Sequence, residues 1–371
     1  MTSLATLLPR LAPHRELEWQ VQLDTLAQAG ITTDVDLVFS THVAPRPGLS
    51  YEQLREITDL ITGNLAAVSS TGVELALQSR DRKGKQPARF STSLEPLDDW
   101  LDGGLEQGEI VELTGPKHAG RTALALYTLL LHLLLHPDAR GAWFDSMGTF
   151  DPHRCLAILR DVLVPRLLSL GGTFADEGEA EPSPEQLAIA VLDRLAVSRV
   201  QKASEVLDVL AGEVSSGSTG PQLKMVVIDS LDNLLGGEAL AAGKAQAHAT
   251  LIAFMRRLTS MARSPEAALA ILVVTTVPPS DASTRQDKNA GRRGVSIPST
   301  LPYQPPLRYA LDHTLAHLVD LSLLVTPAAS LFGPEDGRNR GLVEVLKNSR
   351  GQEGGLVPFE LLHGHDLSAL S

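Results

Sequence analysis

The sequence predicts an α/β protein, in which a mostly parallel central sheet is covered by helices and preceded by a small all-α domain. Beyond about residue 94, apolar strand-like runs alternate with helical stretches, which is the pattern of parallel sheets with helical crossovers. Two of these runs, residues 223–230 and 268–276, are continuously apolar, as strands buried on both faces are. The first 70 residues show helical periodicity instead.

Residues 1–70 are expected to form the all-α domain, with three short helices between residues 16 and 67. The first helix has apolar side chains at helical spacing and is expected to end at Gly30, because glycine is a common residue just after a helix C-terminus. The second is expected to begin after Thr33. The third should begin after Ser50, because Gln53 stands at the capping-box position behind it.

Residues 71–93 are expected to be an exposed linker, because their periodicity fades and "SRDRKGKQPARFSTS" is polar, basic and interrupted by Pro87. The basic side chains suit contact with phosphates, and they equally suit a solvated connection. Both interpretations stay open at this point.

Residues 94–371 are expected to form the core. The predicted strands and helices are, in chain order, strand 109–115, helix 123–135, strand 141–146, helix 152–163, strand 223–230, helix 245–262 and strand 268–276. Residues 171–186 read as an acidic loop. Three further strand candidates close the chain, "HLVDLSLLVTP", "GLVEVLKNSRG" and "GLVPFELLHG", and the turn residues between them favour antiparallel pairing.

Composition narrows the classes of function. The 371 residues include 44 acidic and 32 basic ones, for a formal net charge of −12, so any contact with nucleic acid must be local or shared with a partner. Cys155 is the only cysteine, which excludes an intrachain disulfide framework and favours cytosol or nucleus. The N-terminal segment lacks the basic leader of a secretory signal, and the apolar run 123–135 is too short to span a bilayer.

The strand 109–115 runs into "GPKHAGRT", residues 115–122, which matches the phosphate-loop pattern G-x-x-x-x-G-K-[ST] except that Arg121 stands in place of lysine. The octapeptide alone is a weak signal. Its place between a strand and a helix strengthens it, because that arrangement directs backbone N–H groups and a helix N-terminus at phosphate. We expect Gly115, Gly120, Arg121 and Thr122 to contact nucleotide.

A second element agrees with this interpretation. The apolar strand "MVVID" ends in Asp229, and a carboxylate at the tip of a buried strand beside a phosphate loop holds magnesium together with the loop hydroxyl, here that of Thr122. The alternative is that Asp229 merely caps the following helix. The pairing of the two motifs favours a P-loop core with Thr122 and Asp229 as magnesium ligands.

The segments "LDDWLDGGLEQGEIVEL", "GPKHAGRT", "FDSMGTFDPHR" and "VVIDS" resemble, in this order and spacing, the RecA-type strand-exchange recombinases of eukaryotes. Among them the chain is most similar to the D-type recombinase paralogues, which its "ITTDVDLVFS", "GLSYEQLREI" and "VLKNSRG" also resemble. The resemblance covers nearly the whole chain and is weakest in residues 71–93, 171–186 and 280–311. It implies a RecA-like core that takes ATP and magnesium.

Three departures from the family pattern concern catalysis. The resemblance places a catalytic glutamate where Met147 stands, and a thioether cannot act as a general base. A polar pair that senses the terminal phosphate is replaced by Thr276 and Val277. Arg121 keeps the charge of lysine but not its compact shape. We therefore expect nucleotide to bind, weak or absent hydrolysis, and no catalytic residue.

The resemblance implies a DNA-binding loop after Val277, where Arg285, Lys288, Arg292 and Arg293 are available to phosphates and Tyr303 to stacking. The family's other DNA-binding loop would fall near Lys244, its only basic residue here. Contact with single-stranded DNA is therefore expected within an assembly. Closely spaced histidines, His132, His136, His313, His317, His363 and His365, lack a completing ligand, so we expect no zinc site.

The function that the resemblance implies is that of a nuclear subunit which binds related paralogues and assists the main recombinase on single-stranded DNA in homologous recombination. The alternative is an active DNA-dependent ATPase with a rearranged site. A small-molecule P-loop kinase is disfavoured, because no acceptor-binding motif appears in the sequence.

Overall fold

The structure is a computed structural model that describes residues 3–12, 15–39, 49–65, 88–174, 182–215, 220–242, 244–264, 267–277, 296–303, 307, 311, 314–329, 339–362 and 366–370. The chain divides into two compact units. The first comprises Met1–Pro87, Lys202–Ser215 and Gly237–Arg257, and the second comprises Ala88–Gln201, Ser216–Gly236 and Leu258–Ser371. Among the described residues, no helix combines the length and the apolar character needed to cross a membrane.

The N-terminal part of the first unit is helical. Its helices are α1 (Leu4–Leu11), α2 (Glu16–Gln28), α3 (Asp34–Phe39) and α4 (Tyr51–Leu65). The capping predictions are confirmed: Thr33 Oγ1 accepts from the backbone N–H of Asp36 at 3.2 Å. Ser50 and Gln53 form a reciprocal capping box at 3.2 and 2.9 Å.

The N-terminal helices share an apolar core. Its buried side chains include Leu8, Trp19, Ile57 and Ile61, and the indole N–H of Trp19 donates to the carbonyl oxygen of Ala12 at 3.0 Å. Helix α1, which the sequence analysis left without structure, supplies part of this core. The helix is only eight residues long, so its apolar pattern is brief, and Pro9 inside it weakens the helical signal further.

The elements of the remaining chain follow in order. They are β1 (Arg89–Phe90), α5 (Glu95–Trp100), β2 (Leu105–Glu106), β3 (Ile110–Thr114), α6 (Arg121–Leu135), β4 (Ala139–Asp145), α7 (Pro152–Ala157), a π-helical turn (Ile158–Leu163), α8 (Val164–Ser169), α9 (Pro184–Leu192), β5 (Leu195–Arg199), α10 (Ala203–Ser215), β6 (Gln222–Asp229), α11 (Leu231–Ala242), α12 (Lys244–Ala262), β7 (Ala270–Val274), α13 (Thr314–Leu318), β8 (Leu321–Pro327), β9 (Asn339–Asn348), β10 (Leu356–Leu362) and β11 (Asp366–Ala369).

Among the described residues, nine strands form one sheet in the order β11-β10-β9-β8-β3-β7-β6-β4-β5. The six strands from β8 to β5 are mutually parallel, and β9, β10 and β11 continue the sheet in antiparallel fashion. The α/β class and the mostly parallel sheet are as predicted. The antiparallel end follows from the short connections between the last strands, since parallel pairs need a longer crossover.

Several elements differ from the sequence-based prediction. Arg89 and Phe90 lie within the predicted linker but pair with Glu106 and Leu105. Helix α9 begins within the predicted acidic loop, because Ser183 and Gln186 form a capping box. Strand β5 was not predicted, since its residues alternate between half-buried and exposed at the edge of the sheet and carry little apolar signal.

The register of the sheet positions the candidate site. Asp145 at the end of β4 is opposite Asp229 at the end of β6, and Asp229 is opposite Val274 at the end of β7. Leu113 of β3 is opposite Val274 in turn. The carboxyl ends of four neighbouring strands therefore form one edge, and strands β3 and β4, consecutive in sequence, are separated there by β7 and β6. Such crevices at the carboxyl ends of open parallel sheets are where ligands bind.

Candidate nucleotide site

The loop 115–122 connects the end of β3 to helix α6 and requires glycine at both ends. Gly115 has φ +153°, and a Cβ there would lie 2.0 Å from the carbonyl oxygen of Val325. Gly120 has φ +98° and precedes the first residue of α6. Because α6 begins directly behind the loop, its N-terminal N–H groups lie where a phosphate would be held.

Thr122 and Asp229 meet, as the sequence predicts. The Thr122 hydroxyl donates to Asp229 Oδ2 at 2.9 Å, although the two residues are 107 positions apart. Burial raises the pKa of Asp229, and the hydrogen bond from Thr122 and the charge of Arg121 offset part of that effect. The carboxylate is therefore buried beside a cation and a hydroxyl, a setting in which a bound metal cation would stabilise its charge.

Arg121 lies at the phosphate loop but directs its guanidinium to the end of β7. Its Nη1 donates to the carbonyl oxygen of Thr275 and, at 3.0 Å, to the hydroxyl of Thr276. The residue is 9% exposed. Burial lowers its pKa, while the carboxylates of Asp232 and Asp229 oppose that shift. Arg121 and Thr276, two of the positions that depart from the family pattern, are thus in direct contact.

Asp145 organises the turn that carries Met147. Its carboxylate accepts from the backbone N–H groups of Met147 at 3.0 Å, Gly148 at 2.7 Å and Phe150 at 2.9 Å. Burial alone would raise the pKa of Asp145, but the backbone N–H groups outweigh it and lower the pKa below its usual value. The Met147 side chain is 56% exposed and offers no proton acceptor.

A cleft of about 490 Å³ opens above the loop. Besides loop residues 118–122 and Ala123, its lining consists of Thr149, Arg154, Pro327, Asn339, Arg340, Phe359 and Leu361. A second cavity of about 210 Å³ adjoins it, since Thr122, Thr149 and Arg154 line both. Arg154 ends the segment "FDPHR", whose sequence gave no sign of a role for it. No local signal could have identified Arg340 or Phe359, because folding alone brings β9 and β10 to the loop.

The described residues fit a nucleotide with magnesium. Thr122 and Asp229 are paired oxygen donors of the kind that magnesium prefers, and the loop with the start of α6 suits phosphate. The buried Nε of Arg121 and that of Arg154 have no hydrogen-bond partner among the described residues, and both side chains line the cleft. Two unsatisfied cationic donors at one cleft are best explained by an anionic ligand.

The residues predicted to contact DNA are only partly described. Arg285, Lys288, Arg292 and Arg293 lie outside the described residues. Tyr303 is half-buried and shares a hydrogen bond of 2.7 Å with the hydroxyl of Thr326, so its ring packs within the core. The described chain contains no group of three or more histidines, cysteines or carboxylates able to hold a metal ion.

Comparison with known proteins finds similarity to DNA repair and recombination proteins. No family model matches the chain. DNA repair protein RAD51 homolog 4 of Bos taurus is 26% identical over 306 residues, which are 80% of this chain and 82% of that protein. DNA repair protein RAD51 homolog 2 of Mus musculus is 33% identical over 117 residues, 30% of this chain and 32% of that protein. Meiotic recombination protein DMC1 homolog of Arabidopsis thaliana is 26% identical over 213 residues, 56% of this chain and 54% of that protein.

The chain is similar in sequence to RecA/RAD51-type recombinases. A solved structure supports the same fold: the crystal structure of the RadB recombinase aligns with a TM-score of 0.50 at 20% identity, covering 76% of this chain and all of that one. The resemblance deduced from the motifs is therefore confirmed, and so is the RecA-like core. The positions at which the sequence departs from the pattern expected of such recombinases are Arg121, Met147, Thr276 and Val277.

Proposed function

We propose that this chain is a recombinase paralogue that acts in homologous recombination repair as a subunit of a complex with related paralogues. The similarity to RAD51 homolog 4 over 80% of the chain supports a paralogue role. In this proposal the complex is nuclear and assists the main recombinase on single-stranded DNA. Arg285, Lys288, Arg292 and Arg293 would contribute phosphate contacts within that complex.

We further propose that the core, residues 94–371, binds ATP with magnesium through Gly115, Gly120, Arg121, Thr122 and Asp229 and turns it over weakly or not at all. Residues 1–70 would then act as a docking domain, joined to the core by residues 71–93. One observation supports the expectation of low ATP turnover. The Thr122–Asp229 pair is in place beside the loop, whereas the turn held by Asp145 presents the exposed thioether of Met147 where the family would place a base.

ATP turnover tests this proposal. Purified full-length protein, alone and with a related paralogue, is assayed with and without single-stranded DNA. We expect turnover at background level in every combination, since losing a general base costs a factor of about 10² to 10⁴. The variant Met147→Glu tests whether a general base alone restores ATP turnover. Leu170→Glu, at another exposed apolar side chain, is its matched control.

Robust DNA-stimulated turnover that Asp229→Ala abolishes would contradict the proposal and favour an active DNA-dependent ATPase. Co-purification with related paralogues is measured separately. Failure to associate with any of them would overturn the assembly role whatever the turnover.

A further inference from the structure

The contacts of Arg121 bear on which nucleotide the cleft accepts. In P-loop proteins the loop lysine reaches the β- and γ-phosphates as a compact, mobile charge. Here the guanidinium is fixed instead by the carbonyl oxygen of Thr275 and the hydroxyl of Thr276. Both acceptors follow β7, whose last residue is opposite both Asp229 of β6 and Leu113 of β3. The guanidinium therefore stands at the shared carboxyl ends of these three strands.

The position of the Arg121 guanidinium bears on whether the terminal phosphate of a triphosphate can bind. The phosphate must lie beyond the loop, toward the magnesium ligands, and here those are Thr122 and Asp229. The Arg121 side chain is buried, interacts electrostatically with Asp229 and is already bonded to protein acceptors. A third phosphate would have to displace the guanidinium from Thr275 and Thr276, which leaves both without their donor.

Charge acts in the same direction. Asp229, the expected magnesium ligand, interacts electrostatically with the carboxylates of Asp145 and Asp232, so negative charge is already concentrated where a third phosphate would add more. Because the guanidinium of Arg121 is tethered to Thr275 and Thr276, it cannot follow a third phosphate as the flexible lysine of a phosphate loop would. The buried Nε of Arg121 still lacks a partner among the described residues, so one donor and the loop N–H groups remain for a phosphate held at the loop itself.

We propose that Arg121 makes this site selective for nucleoside diphosphates over triphosphates, because its guanidinium occupies the space that the terminal phosphate requires. This inference rests on the proposed binding of nucleotide to the loop. Arg121 is a specificity-determining residue in this scheme, and Thr276 positions it.

Calorimetric titration of the full-length chain tests the proposal, with ADP and with a non-hydrolysable ATP analogue, each in the presence of magnesium. We expect ADP to bind about tenfold more tightly than the analogue, the size of effect that one displaced charge-assisted contact produces. Arg121→Lys should reverse that preference, since lysine keeps the charge but cannot bridge to both Thr275 and Thr276. Thr276→Val, which removes one acceptor, should shift the ratio in the same direction by a smaller factor.

Lys117→Ala is the matched control, because Lys117 is an exposed basic residue of the same loop and its loss should leave the ratio unchanged. Thermal melting confirms that each variant is folded. A wild-type chain that binds the analogue more tightly than ADP, or an Arg121→Lys ratio equal to that of wild type, overturns the selectivity and leaves the proposed function standing. Absence of binding by either nucleotide overturns both this inference and the nucleotide-binding part of the proposed function, whereas association with paralogues tests the rest.

Discussion

The carboxyl group of Glu112 lies at the centre of the sheet, 1% exposed, on the strand that leads to the phosphate loop. It accepts hydrogen bonds from the hydroxyls of Thr275 at 2.9 Å and Ser322 at 2.8 Å, on the two strands that flank β3 or directly after them. Burial raises its pKa, and the two hydrogen bonds offset only part of that effect. Thr275 also accepts from Arg121 through its carbonyl oxygen, so Glu112 supports the residue that anchors the loop arginine.

Glu112→Gln should therefore stabilise the protein at neutral pH, by about 1 to 2 kcal/mol, since the amide keeps polar contacts without a buried charge. The sign follows from the raised pKa: the folded state keeps the proton at a pH where the unfolded chain has lost it. Stability of the wild type thus declines as pH rises above the ordinary carboxyl pKa. Urea unfolding between about pH 4 and pH 8 checks this, and the variant should show the flatter profile.

Glu112→Ala is the contrasting variant. It leaves the Thr275 and Ser322 hydroxyls without their acceptor and should cost about 1 to 3 kcal/mol. If Glu112→Gln destabilises the protein as much as Glu112→Ala does, the carboxylate is charged in the folded state and this account of its environment is wrong.

At the scale of elements, the close approach of the phosphate loop to β8 depends on a missing side chain. Gly115 takes φ +153°, and any Cβ would collide with the carbonyl oxygen of Val325. The carbonyl oxygen of Gly115 also accepts from the backbone N–H of Val277 at 2.8 Å. The loop is therefore held on both sides by backbone, and neither neighbour can move without disturbing its strand.

Gly115→Ala should lower the free energy of unfolding by about 3 kcal/mol or more, because the clash is with backbone and the φ value is strained for any L-residue. Gly212→Ala is the matched control. Gly212 is exposed in helix α10, and no atom of the described chain would contact an added Cβ within 4 Å, so alanine should raise stability by about 0.5 to 1 kcal/mol. Chemical denaturation measures both, and a neutral Gly115→Ala would show that the loop can move away from β8.

At the scale of the whole molecule, a buried histidine couples stability to pH. His132 on helix α6 is 4% exposed, and neither ring nitrogen has a hydrogen-bond partner among the described residues. It stacks edge-on with Phe90 at 4.4 Å between ring centroids. Burial lowers its pKa to about 4, aided by the charges of His136, Arg194 and Lys224 and opposed by that of Asp138.

The lowered pKa means that the unfolded chain takes up a proton before the folded one does. The contribution of His132 is present above the ordinary histidine pKa of 6.5 and is lost as pH falls to about 4. Over that window we expect a loss of about 3 kcal/mol. His132→Leu, in this leucine-rich helix, should flatten the profile in denaturant titrations, whereas His153→Leu at an exposed position should not. Parallel profiles for wild type and His132→Leu would contradict the assignment.

The sequence alone was sufficient for much of this protein. It determined the α/β class, the caps at Thr33 and Ser50, the phosphate loop and its pairing with Asp229, and the absence of a proton acceptor at Met147. Each of these is carried by a local pattern or residue type, such as periodicity, a capping residue or a motif between a strand and a helix. The sequence did not predict strands β5 and β11, because these edge strands are short and mostly half buried, which weakens their apolar pattern.

Only the tertiary structure shows which contacts those residues make. The sequence showed that Arg121 replaces a lysine, but not that its guanidinium contacts Thr275 and Thr276, 154 and 155 positions away. Glu112 likewise finds its partners 163 and 210 positions away. Such contacts depend on which strands become neighbours in the sheet, and strand order is set by long-range packing rather than by any local stretch of sequence. The loop could be recognised from eight residues and the strand and helix that flank them, whereas the direction of its arginine required the whole sheet.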